Sequence, residues 1–283
     1  MKVYKEKKNF KADLSGLKAN DKSIGFVPTM GALHKGHLSL VQKALENNDH
    51  VIVSIFVNPT QFNNASDLEK YPRTLDKDLE LLETLKSDRI SVYAPSVKDM
   101  YEGNTSSQKF DFDGLEFEME GKYRKGHFDG VATVVKRLFE IINPDNAYFG
   151  EKDFQQLAII KKLVKKHNIP VNIIGCKISR ESSGLAMSSR NMRLKPEYKK
   201  AAPFIYKTLK TAKMYFGTKS ANYVAEWVEN QFSKHPFLKL EYFVIADLET
   251  LKPLKRKSNK KKYRAFIAAY ADDVRLIDNI ALN

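Results

Sequence analysis

One segment, Ile24 to His37, constrains the fold of this chain more than any other. It opens with the apolar run Ile24 to Val27, which is interrupted by Pro28 and Gly31. Apolar side chains then recur at helical spacing, at Leu38, Val41 and Leu45. This order predicts a strand, a glycine-containing turn and a helix. Such a turn directs backbone N–H groups and the positive end of a helix dipole at one point, which favours an anion, most often a phosphate.

Two histidines flank the start of the predicted helix. His34 and His37 lie three residues apart, so they share one helix face and both rings can reach one ligand. Gly36 between them removes a side chain where a base or a phosphate could approach the backbone. Helix capping is the alternative role for each ring. Metal binding is not expected, because no Cys, Glu or third His lies nearby at ligand spacing.

The chain up to about residue 177 alternates between predicted strands and helices. Apolar or aromatic runs predict strands at 51–57, 90–94, 146–149 and 171–174, with helical spacing between them. The segment 95–128 is irregular and suits an insertion that covers substrate or contacts a second subunit. We therefore expect an α/β fold with an open parallel sheet, whose right-handed crossovers place every strand-to-helix turn at the same edge.

The turns at 28–37, 58–62 and 150–156 should converge, because ligands of such sheets bind outside the carboxyl ends of the strands. The amide of Gln61 offers a donor and an acceptor for a hydroxy acid or carboxylate, although it could instead bond its own turn. The ammonium of Lys152 suits a phosphate whose charge rises during reaction, although turn lysines are usually exposed and without such a role.

Composition indicates a globular protein with room for two domains, because the 283 residues are 42% hydrophobic. The charged N-terminus has no signal-peptide core, and no stretch approaches the roughly 18 apolar residues that a membrane helix needs. The single cysteine, Cys176, cannot form an intramolecular disulfide, which fits a reducing compartment. We therefore expect a cytoplasmic protein without a membrane partner.

The net charge of +14 raises the possibility of nucleic-acid binding. The basic residues are scattered, however, and the lysine-rich run 252–262 contains no stacking aromatic residue, so it is better explained as a solvated loop between two strands. We expect no nucleic-acid partner. The positive field would instead attract small anionic substrates.

From about residue 178 the composition changes, so we expect domains at 1–177 and 178–283. The segment 179–190 is small and polar and predicts a mobile loop, in which Arg190 could bind a ligand or pair with an acid. Beyond it lie two helical stretches, 196–216 and 220–232. Three strand patterns complete a small α+β domain, at 238–246, 264–271 and 274–281.

Seven motifs occur in order across nearly the whole chain and together resemble the pantoate-β-alanine ligase family. They are PTMGALHKGH at 28–37, FVNPTQF at 56–62, YPRT at 71–74, GHFDG at 126–130, GEKDFQQ at 150–156, GLAMSSRN at 184–191 and LIDNI at 276–280. The resemblance implies a Rossmann-like parallel-sheet nucleotidyltransferase domain with a smaller C-terminal α+β lid domain, and a homodimer. In particular, 34–37 resembles the His-Ile-Gly-His signature of the superfamily and 187–190 its mobile Lys-Met-Ser-Lys-Ser loop.

The resemblance also implies a reaction. ATP and (R)-pantoate would form pantoyl adenylate and pyrophosphate, after which the amine of β-alanine would displace AMP to give pantothenate. Attack of a carboxylate on the α-phosphate needs no protein nucleophile, so catalysis would consist of positioning and charge stabilisation.

The site residues implied by the resemblance fall into three groups. ATP would be bound by Met30, Gly31, Ala32, Leu33, His34, Lys35, Gly36, His37, Gly150, Glu151, Lys152, Asp153, Ser179, Met187, Ser188, Ser189 and Arg190. Catalysis would fall to His34, His37, Lys152, Ser188, Ser189 and Arg190. Pantoate and β-alanine would be bound by Pro28, Met30, Gln61 and Gln156. Mg²⁺ would be carried on the ATP phosphates, near Asp78.

Two other classes of function stay open at this stage. Another adenylyl- or cytidylyltransferase would share the His-x-Gly-His turn, but it would not need the paired Gln61 and Gln156. A synthetase-like RNA-binding protein would explain the positive charge. However, the second domain has only roughly 100 residues, which leaves little room for an additional RNA-binding domain.

Overall fold

The computed structural model describes residues 1–63 and 65–283, which divide into two compact units. The N-terminal unit contains Met1–Glu116, Glu120–Glu151 and Gln156–Lys177. The C-terminal unit contains Phe117–Met119, Lys152–Gln155 and Ile178–Asn283. The short segment that carries Lys152 therefore groups with the C-terminal unit, although in sequence it lies within the alternating strands and helices that end near residue 177.

The N-terminal unit is built on a six-stranded parallel sheet, which confirms the predicted α/β fold. Its strands are Lys2–Tyr4 (β1), Ile24–Thr29 (β2), His50–Ile55 (β3), Ile90–Tyr93 (β4), Asn146–Gly150 (β5) and Asn172–Cys176 (β6). Their order across the sheet is β1-β4-β3-β2-β5-β6, and all neighbouring pairs are parallel. The strand order reverses at β2 and β5, so the crevice beyond these two strands is where a ligand of such a sheet binds.

Helices connect these strands. They are Lys7–Ala19 (α1), Lys35–Asn47 (α2), Ala65–Glu69 (α3), Leu75–Glu83 (α4), Val97–Tyr101 (α5), Met119–Tyr123 (α6), His127–Ile142 (α7) and Phe154–Lys166 (α8). One core cluster joins Val41 of α2 and Leu82 of α4 to the inward side chains of β2, β3 and β4. These apolar faces are the ones that the helical spacing predicts, because a helix beside a sheet buries one stripe. The segment 95–128 contains α5 and α6, where the sequence indicates irregular structure.

The C-terminal unit contains the three predicted strands, which pair antiparallel, and the predicted helical stretches. The strands are Leu238–Asp247 (β7), Tyr263–Ala271 (β8) and Val274–Ala281 (β9), in the order β7-β8-β9. The helices are Pro196–Ala201 (α9), Phe204–Thr218 (α10) and Ala221–Ser233 (α11). The predicted stretch 196–216 is two helices, because Pro203 has no N–H to continue the ladder of α9. Trp227 packs edge-on against Tyr215, with ring centroids 5.0 Å apart.

The lysine-rich run lies between β7 and β8, as predicted. Two of its lysines make structural contacts. Lys257 donates to the carbonyl oxygens of Phe216 and Lys219 at the C-terminal end of α10, where a cation stabilises the helix dipole. Lys261 pairs with Asp247 at 2.8 Å. Among the helices of the described residues, none combines the length and the apolar character needed to cross a membrane.

Candidate active site

The turn after β2 has an unusual backbone that the rest of the N-terminal unit holds in place. Gly31 and the following Ala32 both have positive φ, +80° and +49°, and Ala32 is not a glycine. Thr29 at the end of β2 donates its hydroxyl to the carbonyl of Ser54 on β3 at 2.7 Å and accepts the N–H of Gly31 at 3.2 Å. A residue such as Ala32 keeps this conformation only where surrounding contacts impose it.

His34 and His37 lie at the start of α2, and their rings are adjacent. The ring centroids are 4.0 Å apart. Nδ1 of His34 accepts the N–H of Gly36 at 3.1 Å, and Nδ1 of His37 accepts the N–H of His34 at 3.3 Å. In a neutral ring whose Nδ1 accepts, Nε2 carries the proton. Both histidines therefore cap the helix and also present an N–H donor, a combination that suits phosphate oxygens. Lys35 is exposed at the first position of α2.

Gln61 is brought to the same turn, as the sheet geometry predicts. It ends a short 3-10 helix, Pro59–Gln61, after β3 and is 8% exposed. Its Nε2 lies 2.8 Å from Sδ of Met30, and its Oε1 accepts from Nδ2 of Asn58 at 3.2 Å. The side chain thus bonds its own turn and also reaches across to Met30. A thioether sulfur is a weak acceptor, so an oxygen-bearing ligand would be a better partner for this amide.

Several residues that no sequence pattern singled out support Gln61. The backbone carbonyl of Gln61 is 2.8 Å from Nδ1 of His127. Asn58 is 1% exposed, accepts the hydroxyl of Tyr101 at 2.5 Å and donates to the carbonyl of Gly130 at 3.1 Å. His127 and Gly130 both belong to the GHFDG motif. That motif was therefore the available signal, although no local pattern indicated which turn it would support.

Asp78, the residue near which Mg²⁺ is expected, makes its hydrogen bonds to the turn after β2. It is 2% exposed, and its carboxylate accepts the N–H groups of Ala32 at 3.0 Å and Leu33 at 2.7 Å and the hydroxyl of Thr74 at 3.2 Å. Burial raises the pKa of this carboxyl. The hydrogen bonds from Leu33, Thr74 and Ala32 act in the opposite direction, but burial is the larger effect. Within residues 1–63 and 65–283, no group of three His, Cys, Asp or Glu side chains is arranged to hold a metal. Asp78 is therefore an anchor of the turn, because both its oxygens already accept backbone donors.

The segment after β5 carries Lys152. Gly150 ends the strand, and Glu151–Asp153 forms one turn of 3-10 helix. The Lys152 side chain is 19% exposed, less than a surface turn lysine would be, and its Nζ lies 3.7 Å from Asp153. Its backbone carbonyl accepts from Nδ2 of Asn279 at 2.9 Å. Gln156 is half-buried in the first turn of α8, and Pro28 is half-buried in β2.

The segment 179–191, predicted as a loop, contains local hydrogen-bonded structure. It forms a tight hairpin in which Arg180 and Ala186 pair, followed by a 3-10 helix, Ser189–Arg193, that Ser188 caps. Arg180 holds the hairpin through two hydrogen bonds to the carboxylate of Asp278, at 2.6 and 2.9 Å. The N–H of Met187 donates to the carbonyl of Ser179 at 3.0 Å. In the C-terminal unit, Ser189 is buried, and Met187, Ser188 and Arg190 are half-buried.

Comparisons with known proteins agree across the chain. The family model for pantoate-beta-alanine ligase matches residues 2–281. The pantothenate synthetase of Christiangramia forsetii is 60% identical over 283 residues, and that of Flavobacterium psychrophilum is 57% identical over 282, each covering 100% of both chains. A crystal structure of pantothenate synthetase from Thermus thermophilus superposes with a TM-score of 0.91 at 38% identity, covering 100% of this chain and 99% of that one.

A second solved structure is informative about ligands. The pantoate-beta-alanine ligase of Francisella tularensis, complexed with beta-gamma ATP and beta-alanine, matches with a TM-score of 0.81 at 38% identity, covering 100% of this chain and 98% of that one. These matches extend over nearly the full length of this chain and of the proteins that it resembles. The chain therefore belongs to the pantoate-beta-alanine ligase family, and it is an ATP-dependent ligase of pantoate and β-alanine.

Proposed function

We propose that the chain converts (R)-pantoate, β-alanine and MgATP to pantothenate, AMP and pyrophosphate through a pantoyl adenylate. In the first step a carboxylate oxygen of pantoate attacks the α-phosphorus of ATP, and the bond from that phosphorus to pyrophosphate breaks. In the second step the amine of β-alanine attacks the acyl carbon, the bond from this carbon to the AMP oxygen breaks, and the nitrogen loses a proton. Catalysis is then positioning and stabilisation of charge on phosphate oxygens.

The observation that carries this proposal is the arrangement of His34 and His37 at the N-terminus of α2. Each Nδ1 accepts a backbone N–H, so each neutral ring offers Nε2–H as a donor beside the positive end of the helix. We assign His37 and His34 to the ATP phosphates, with the backbone of Met30 to Gly36 lining the nucleotide site. Two preset donors cost no reorganisation when negative charge develops in the transition state.

Gln61 and Met30 support binding of the second substrate. The Gln61 amide now donates to a weak sulfur acceptor 2.8 Å away, and an oxygen of pantoate would replace that sulfur at a gain in hydrogen-bond strength. We assign pantoate to Gln61, Met30, Pro28 and Gln156, and β-alanine to Gln61 after pyrophosphate has left.

The remaining ATP contacts are proposed from matching motif positions. Gly150 to Asp153, Ser179 and the Met187 to Arg190 segment would bind the nucleotide, with Lys152, Ser188, Ser189 and Arg190 acting on the phosphates. We propose that the N-terminal domain holds ATP and pantoate and that the C-terminal domain acts as a lid. Mg²⁺ enters as part of the MgATP substrate, because this ion is commonly held by phosphate oxygens and water.

We also propose a cytoplasmic homodimer that binds neither nucleic acid nor membrane. The location rests on the single cysteine, which suits a reducing compartment. The dimer rests on the family resemblance. Light scattering coupled to gel filtration tests it, with an expected mass of twice the 32.4 kDa of the chain.

Product analysis tests the reaction. The purified chain is incubated with MgATP, pantoate and β-alanine, and each component is left out in turn. We expect AMP, pyrophosphate and pantothenate in equal amounts only with all three substrates, and pyrophosphate exchange into ATP with pantoate alone. Release of ADP and phosphate would instead indicate an acyl-phosphate intermediate and overturn the adenylate mechanism.

A further inference from the structure

We propose that Asp78 is a positioning residue for adenylate formation, because its carboxylate holds the Gly31–Leu33 turn that sets the two histidines. This inference rests on the function proposed above. Asp78 lies on α4, in the first turn of that helix. The residues that donate these hydrogen bonds to it, Ala32, Leu33 and Thr74, belong like Asp78 to the N-terminal unit.

The two carboxylate oxygens of Asp78 accept hydrogen bonds from two successive backbone N–H groups. Oδ2 of Asp78 accepts the N–H of Ala32 at 3.0 Å, and Oδ1 accepts the N–H of Leu33 at 2.7 Å. Thr74, at the start of the same helix, donates its hydroxyl to Oδ1 at 3.2 Å. The carboxylate is 2% exposed, so water does not compete for these bonds. A hydrogen bond to an ionised acceptor is stronger than one between neutral groups.

Two features of the turn match this carboxylate. Consecutive positive φ values at Gly31 and Ala32 turn the next two N–H groups toward one point. A Cβ at position 31 would lie only 3.0 Å from Oδ2, so glycine also leaves the space that the carboxylate occupies. An Asn side chain at position 78 would present one NH₂ group to a backbone N–H in either orientation of its amide. Only a carboxylate of this length therefore satisfies both donors.

The anchored turn leads directly into the phosphate-binding residues. Leu33 precedes His34, and the N–H of His34 donates to Nδ1 of His37 at 3.3 Å. A displacement of Leu33 is thus transmitted to both rings. The helix that carries Asp78 is itself held in place, because Leu82 on α4 is 0% exposed within the core cluster of the sheet. Asp78 in this way ties the position of the two Nε2–H donors to the packed sheet.

The test is Asp78→Asn in the full-length protein, with Glu80→Gln as the matched control, since Glu80 is an exposed carboxylate on the same helix. Pantoate-dependent pyrophosphate exchange gives kcat and the KM values for ATP and pantoate, and thermal melts locate a temperature at which all variants are folded. We expect kcat of Asp78→Asn to fall about tenfold to a hundredfold, as for small displacements of catalytic groups, with less than threefold change in KM for pantoate.

Each outcome bears on the proposal. Wild-type kcat in a folded Asp78→Asn variant, even one with a lower Tm, would show a purely structural role and overturn it. If Asp78→Asn does not fold, Thr74→Val replaces it, because this change keeps the charge and both backbone bonds but removes the hydroxyl that orients Oδ1. A twofold to tenfold loss of kcat is then expected, and wild-type kcat would overturn the proposal. Absence of exchange in the wild type and Glu80→Gln would overturn the proposed function itself.

Discussion

The side-chain amide of Asn279 donates a 2.9 Å hydrogen bond to the backbone carbonyl of Lys152. Asn279 is 2% exposed on β9, and its Oδ1 accepts from the guanidinium of Arg264 on β8 at 2.5 Å. The same guanidinium lies 4.1 Å above the ring of Phe154. Side chains from β8 and β9 of the C-terminal unit therefore restrain the backbone of this turn. The Lys152 side chain extends from that restrained backbone.

We expect Lys152→Ala to lower the turnover of pantoate-dependent pyrophosphate exchange by roughly a hundredfold or more, as loss of other donors to developing charge does. The KM values should change less, because phosphate oxygens gain charge as pyrophosphate departs and the ammonium stabilises them most in the transition state. Lys161→Ala is the control, since that lysine is exposed on α8. Near-normal exchange in a folded Lys152→Ala variant would show that Lys152 is an ordinary turn lysine without a catalytic role.

Replacing Asn279 tests the restraint on this turn. Asn279→Ala removes the bond to the Lys152 carbonyl and leaves the buried Arg264 without its acceptor at position 279. We expect the free energy of unfolding to fall by about 1–3 kcal/mol, the usual penalty for unsatisfied buried groups. Denaturant titration measures this loss. Exchange should weaken too, with a smaller loss than in Lys152→Ala, because the ammonium is still present.

If the Asn279→Ala variant loses stability but keeps the wild-type kcat, the restraint on the turn is not needed for catalysis. Asn283→Ala serves as the comparison. Asn283 also donates a side-chain hydrogen bond to a backbone carbonyl, that of Lys261 at 2.9 Å, but at the exposed end of the chain.

Gly130 should not accept a side chain. A Cβ there would lie 2.2 Å from the carbonyl oxygen of Thr60, in the turn that positions Gln61. We expect Gly130→Ala to destabilise the protein by about 1–3 kcal/mol or more through overpacking, and to raise the KM for pantoate by displacing Gln61. Gly16→Ala is the matched control. Gly16 lies within α1, where an added Cβ would meet no atom of the described residues within 4 Å, so that variant should gain about 0.4–1 kcal/mol.

The pH dependence of stability should include a contribution from Asp247. Burial alone would raise the pKa of this carboxyl, but Lys261 and the N–H groups of Thr250 and Glu249 lower it to about 2. The folded-state pKa is thus below the unfolded value of 3.8, so the stabilisation is present above that value and is lost as pH falls toward about 2. In urea titrations, wild type should exceed Asp247→Asn in stability at pH 7 by more than at pH 3. An equal difference at both pH values would contradict the assignment.

Much of the fold could be predicted because its signals are local. Buried parallel strands read as continuous apolar runs, so β2 and β3 were recognisable without their neighbours, and the antiparallel strand β9 was predicted with its observed bounds. The helix break at Pro203 was missed, since apolar spacing continues across it and only the missing N–H ends the ladder. The hairpin at 180–186 was missed for a different reason. Its stabilising partner, Asp278, lies 98 residues from Arg180, beyond the reach of any local pattern.

The sequence by itself determined the strand, turn and helix around His34 and His37, the single-edge convergence of the strand-to-helix turns, and the family, because periodicity and turn chemistry are carried by neighbouring residues. Only the tertiary structure decided what supports these groups. Asp78 meets Ala32 across 46 positions, His127 meets Gln61 across 66, and Asn279 meets Lys152 across 127. The physical reason is that a buried donor or acceptor must find a partner, and which partner is within reach depends on how whole elements pack.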